Sequence, residues 1–206
     1  MTRLLRNIFS VFLLLTLSPL LLSCASTKTI KVWKDEGYSQ RLRKVLVIAV
    51  ADQDYMRNHF ENVLSNSLTS RGIEAVPSNK IFPQSLKLDR KAIEAKVREL
   101  GIGSVLVTRS TGKTEESWLD PGYTFVVPVG YYEWYGFYSD SFAMVTIPGQ
   151  AYDAEFFSLT TNIYDVSSEK LIWSYLSRVK VEQSKEGAIN PFIDTLMKQL
   201  DENKLL

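Results

Sequence analysis

The sequence predicts an α/β chain of the α+β kind: one mixed β-sheet with about three helices packed on it, plus an aromatic-rich inserted loop or hairpin. Three observations carry this. Residues 44–50 read Lys-Val-Leu-Val-Ile-Ala-Val, a continuous run of the type found in a central strand covered on both faces. Two stretches with apolar residues at helical spacing, Met56 to Leu68 and Ile93 to Leu100, are each followed by a stop glycine, Gly72 and Gly101. Two alternating runs, Phe157 to Ile163 and Leu171 to Val181, meet at Ser167-Ser168-Glu169 and make a β-hairpin.

In chain order, the first segment is a targeting signal. Arg3 and Arg6 form a basic head, an apolar run follows from Ile8, and Leu21-Leu22-Ser23-Cys24 closes it. This ending resembles the bacterial lipobox, with Leu three residues before Cys and a small residue directly before it. The resemblance implies that the Cys24 thiol is acylated, that the chain is cut before it, and that the new amino group is acylated too. Two other readings are a single membrane-spanning anchor and an ordinary signal with an incidental cysteine. Against a span, Ser18-Pro19 interrupts a run already short of about 20 residues. Ala25 and Ser26 carry no acidic inner-membrane retention signal. By resemblance, the protein is then a palmitate-bearing lipoprotein anchored through Cys24, at the outer membrane and facing the periplasm.

Residues 1–23 are thus read as signal peptide, 24–43 as tether and first strand, and 44–206 as a single domain with an aromatic insertion over 109–151. The composition is globular, 45% hydrophobic and 23% charged. Removing Arg3 and Arg6 with the signal leaves 22 basic against 23 acidic side chains. A near-neutral domain has no electrostatic footprint for nucleic acid and no polybasic patch for a membrane. Cys24 is the only cysteine, so its acylation excludes disulfides and thiolate metal sites.

Thr29 to Trp33 alternates and predicts a first strand. After the central strand, Asp52 or Asp54 is expected to cap a first helix running to Arg71. Ile73 to Val76 is a short strand ended by Pro77. Asp89 is the expected cap of a second helix, and Ser104 to Thr108 the strand after it. Asn190-Pro191 reads as an N-cap followed by a first-turn proline, opening a last helix with Phe192 or Ile193, Leu196 and Leu200 on its apolar stripe.

The central strand and first helix, Glu94 to Leu100 with Gly101 and Val105-Leu106-Val107, and the hairpin Tyr164-Asp165 … Lys170-Leu171-Ile172-Trp173 resemble the α/β domain of a group of envelope lipoproteins. That group includes the curli-secretion lipoprotein CsgG, the penicillin-binding-protein activator LpoB and the amino-terminal domain of TolB. The resemblance implies a fold and a habitat, a protein that binds other envelope components, and brings no catalytic residues. Residues 109–151 depart from the pattern.

No catalytic, cofactor or metal constellation emerges. His59 is the single histidine and reads as a partly exposed helix residue. With no cysteine to join it, it cannot build the usual zinc site. Gly101-Ile102-Gly103 lies between a helix and a strand, the reverse of a phosphate loop. Glu115-Glu116, Asp120, Asp153 and Glu155 read as a solvated face. The unusual feature is Trp118 to Phe142, with Trp118, Tyr131, Tyr132, Trp134, Tyr135, Phe137 and Tyr138 as the candidate interaction residues. Tyr and Trp bury large area and keep a polar handle. A lid on the core, a partner-binding surface and membrane contact all fit. The expected function is non-enzymatic: an anchored lipoprotein binding a protein partner or scaffolding an assembly. An oligomeric secretion or pore component is the alternative, and an envelope hydrolase a weaker one.

Overall fold

Residues 44–50 form the strand around which the sheet is built, and both of its faces are covered. In the computed structural model Val45, Val47 and Ala49 face one helical layer, while Leu46 and Ile48 face the other. The structure describes residues 27–82, 90–115, 123–127, 143–147, 155–181 and 184–206. The elements are β1 (Thr27–Lys34), β2 (Lys44–Val50), α1 (Asp54–Thr69), β3 (Glu74–Pro77), a 3₁₀ turn (Ser78–Lys80), α2 (Arg90–Glu99) and β4 (Ser104–Glu115). Then come β5 (Tyr123–Val127), β6 (Ala143–Ile147), β7 (Glu155–Asp165), β8 (Leu171–Val181) and α3 (Lys185–Glu202).

The main sheet has six strands in the order β1-β8-β7-β4-β2-β3. β2 runs parallel to β3 and β4, and the remaining pairs are antiparallel. This is the mixed sheet expected from the sequence. α1 and α3 pack on one face, where Leu64, Leu68, Phe192 and Leu196 meet Val45, Val47 and Trp173. α2 packs on the other, with Ile93 and Val97 against Leu46, Ile48, Val105 and Val107. Each such side chain taken from water contributes roughly 1.5–3 kcal/mol. Gly72 and Gly101 adopt φ of +83° and +63° where the chain turns out of α1 and α2, a conformation that disfavours any Cβ.

A buried polar network fixes α1 to the sheet. Glu61 Oε1 accepts from Ala49 N at 2.9 Å, Arg57 Nε at 3.1 Å and Ser78 Oγ at 2.6 Å. Its Oε2 accepts from Asn79 N at 2.6 Å. Arg57 Nη2 donates to the Phe82 carbonyl at 3.0 Å. Two charges are taken out of water here, and nearly every lone pair of the carboxylate is engaged.

Four local expectations are corrected. The residue before α1 is Gln53, with no side-chain cap, so neither Asp52 nor Asp54 serves, and Asp54 sits in the first turn instead. α1 ends at Thr69, two residues before Arg71. α3 starts at Lys185 rather than after Asn190: Ser184 accepts from Gly187 N at 3.0 Å, and Pro191 lies inside the helix. A proline there costs about 3 kcal/mol. Burial of Ile189, ahead of it, works against that cost. β4 continues to Glu115, well past Thr108, because the polar stretch 109–115 pairs with β7 along its whole length. There Thr111 and Thr160 place hydroxyls 3.1 Å apart.

Candidate functional site

Strand direction brings three separate stretches of sequence to one end of the sheet. Thr27 is paired with Val179, Val179 with Phe157, and Phe157 with Lys113. One row of the ladder therefore crosses β1, β8, β7 and β4. At a strand spacing of roughly 4.8 Å, Thr27 and Lys113 stand about 15 Å apart. One step further on, Glu115 pairs with Glu155, and Glu155 with Val181. The two strands that bracket residues 116–154 thus end at the same end of the sheet as Thr27, with β8 between β1 and β7. Lys113 Nζ and a Glu155 carboxylate oxygen, 3.3 Å apart, hold the two ends together. Between these ends Tyr123–Val127 and Ala143–Ile147 pair as an antiparallel two-stranded sheet, so part of the insertion is a hairpin. β5 stops directly before Pro128.

The same end carries a cavity of about 480 Å³ between the sheet and the first turns of α1 and α3. It lies past the carboxyl end of β2, a usual ligand position in parallel sheets, and beside residues 108–110, where β4 leaves its pairing with β2. Phe157, Leu159, Val179 and Val181 supply an apolar wall, and Asp52 and Lys185 supply charge. Leu159 lines this cavity and is only partly buried, although it alternates with Phe157 and Ile163 as a core residue would. Lys185 Nζ lies 5.1 Å from the Phe157 ring centroid, within cation–π range.

Tyr55 and Glu186 are each the second residue of a helix, of α1 and α3. Glu186 is held below its ordinary carboxylate value by its own backbone N–H and then by the nearby Tyr55 hydroxyl, with a lesser contribution from His59. The proximity of Glu186 raises the Tyr55 phenol. His59 is exposed, as expected, one turn on from Tyr55. Gly101-Ile102-Gly103 lies between α2 and β4, also as expected. Among the described residues there is no cluster of three metal-ligating side chains and no helix long and apolar enough to cross a membrane.

Cys24 and the interaction candidates Trp118, Tyr131, Tyr132, Trp134, Tyr135, Phe137 and Tyr138 lie outside the described residues. The cavity is what the sequence reading missed. Its wall residues have the same alternation as core residues, and only their place at the first turns of α1 and α3 separates one from the other.

No family model matches the chain, and no curated protein matches it. Among solved structures, the chain is similar to the PelC dodecamer from Paraburkholderia phytofirmans, at 11% identity and a TM-score of 0.46, covering 83% of this chain and 94% of that one. It is also similar to the lipoprotein GNA1162 from Neisseria meningitidis, at 13% identity and a TM-score of 0.40, covering 78% of this chain and 99% of that one. A PDZ domain protein from Parabacteroides distasonis is similar at 10% identity and a TM-score of 0.43, covering 81% of this chain and 34% of that one. None of these is CsgG, LpoB or TolB. Likenesses this distant carry no functional conclusion.

Proposed function

We propose that the protein is a non-enzymatic lipoprotein of the bacterial envelope, held by acylated Cys24, that presents the tethered end of its sheet and the aromatic segment to a protein partner at the membrane surface. The observation that supports this most is the ladder row Thr27, Val179, Phe157, Lys113. It sets the first residue after the tether at the same end of the sheet as the strand ends that bracket the segment. Cys24 is three residues before Thr27, a reach of at most about 10 Å. Anything carried by residues 116–154 then starts within a few strand widths of the anchor. Ala25 and Ser26 favour the outer membrane, periplasmic side. The reading needs no cofactor and no metal.

Replacing Trp134, Tyr135 and Phe137 together with Ser tests the segment. Loss of crosslinked partners with an almost unchanged melting temperature supports the interface. A large fall in melting temperature assigns the segment to core packing and ends this reading. The β5–β6 pair favours one alternative, an oligomeric pore-type component. A single hairpin cannot close a barrel, so that reading requires several copies. Discrete oligomers in detergent would favour it, and a monomer would exclude it.

A further inference from the structure

The cavity at the tethered end is unlike the rest of the surface. Deeper between α1 and α3 the helices close on each other, with Phe60 and Phe192 ring centroids 5.7 Å apart. At their first turns a recess opens beside the sheet, and Phe157, Leu159 and Val181 are left only partly buried. Apolar side chains lining an open recess stay in contact with water unless something covers them. At about 480 Å³ the recess is within the size range of small-molecule sites.

The chemistry of the lining narrows what fits. Phe157, Leu159, Val179 and Val181 make most of the wall apolar, with Thr108 and Ser110 the polar residues of β4 beside them. Among the lining residues Lys185, in the first turn of α3, brings a cation and Asp52 an anion. Lys185 is exposed, and among the described residues no carboxylate lies within ion-pair distance of it. An apolar chain ending in an anionic head matches both zones. Val179 lines the recess and is the direct ladder partner of Thr27, so the site lies where the tether would bring the membrane.

We infer that this recess binds an acyl chain with an anionic head group, the chain against Phe157, Leu159 and Val179 and the head at Lys185. A free fatty acid and an anionic phospholipid share that chemistry. The membrane source rests on the tethered reading of Cys24, whereas the site itself does not.

The test uses the full mature protein held in amphipol. Two photoreactive probes, a diazirine palmitate and a diazirine-acyl phosphatidylglycerol, are irradiated with it and the labelled peptides are mapped. Labelling is expected on peptides spanning 157–181 and 185–192, and it should fall at least fivefold under excess unlabelled palmitate. Ala188→Trp, which fills the recess from α3, should cut labelling at least fivefold with melting temperature retained. Lys185→Glu, at an exposed position, should weaken the anionic probes while sparing an uncharged diazirine palmityl alcohol. Preference for one probe names the source. Labelling that is unsaturable, or unchanged in both variants, overturns the site. The Cys24 peptide in the same digest separates the two ideas: unmodified Cys24 with saturable labelling refutes the tether alone, and acylated Cys24 without labelling refutes the site alone.

Discussion

Thr27 and Val179 are direct partners across the β1–β8 ladder, and Val179 also lines the recess under α1 and α3. One backbone pairing thus joins the strand after the tether to the wall of the candidate site. The register continues through Phe157 to Lys113, so Thr27 and Lys113 lie at one end of the sheet. At the opposite end lie Arg41, Arg43, Arg71 and Gly72.

Acylation of Cys24 is the first consequence to measure. Each buried methylene adds about 0.8 kcal/mol, and more than one chain makes anchoring stable. Cys24→Ala should release the protein from the membrane pellet or leave it unprocessed. An unmodified Cys24 on a mature chain, seen by mass spectrometry, would show that the lipobox reading is wrong. Sucrose-gradient fractionation should place the protein with the outer membrane, and an inner-membrane band would refute that part.

Leu64 is fully buried between α1 and β2. Leu64→Ala should cost about 2–5 kcal/mol in urea unfolding. A cost under about 0.5 kcal/mol would mean that the α1 face is not the packed core.

The Arg57–Glu61 pair should show strong coupling. Glu61→Ala leaves a guanidinium buried without its carboxylate and should cost about 3–5 kcal/mol. Replacing both, with Arg57→Met and Glu61→Leu, should cost clearly less than Glu61→Ala alone. A double variant as unstable as the sum of the two single variants would show that the pair acts as two independent residues.

Asp165 sits at the β7–β8 turn and accepts from Ser167 Oγ at 2.6 Å, Ser168 N at 2.8 Å and Ser168 Oγ at 2.7 Å. Burial works against its charge, but these hydrogen bonds outweigh it and hold the carboxyl below its ordinary value. A lowered folded-state value means that the unfolded chain takes up the proton first. The contribution is therefore fully present above the ordinary carboxylate range, near 3.9. It is lost as pH falls from there through the folded-state value. Asp165→Asn should flatten that acid limb of a stability–pH curve and leave neutral pH less affected. An unchanged acid limb would show that the turn does not hold the charge.

Much of the fold was legible because its signals are local. The β2 run, the Gly72 and Gly101 stops and the Ser167-Ser168-Glu169 turn each specify an element without help from distant residues. The misplaced boundaries are those set by distant partners. Residues 109–115 lack an apolar pattern and become strand only through their ladder with β7. The start of α3 is decided by Ser184 and by the burial of Ile189, so the Asn190-Pro191 signal is overridden. Leu159 alternates like a core residue, and its exposure to the recess depends on where α1 and α3 begin. For the site, sequence pointed to Cys24 and to the aromatic segment. That the strand ends bracketing the segment share an end of the sheet with the start of the strand after the tether depends on strand order, which a linear pattern does not encode.

Which end of the sheet faces the bilayer is the most direct test. With the Cys24 thiol acylated, a cysteine introduced at exposed Lys113 or exposed Arg71 is the single reactive thiol in the chain. Each variant is labelled with a fluorophore, placed in liposomes through its own lipid, and quenched with headgroup-spin-labelled lipid. The Lys113→Cys label should be strongly quenched and the Arg71→Cys label weakly, since they sit at opposite ends of the sheet. Equal quenching, or stronger quenching at Arg71→Cys, would contradict a tethered end that carries the aromatic segment and the recess to the membrane.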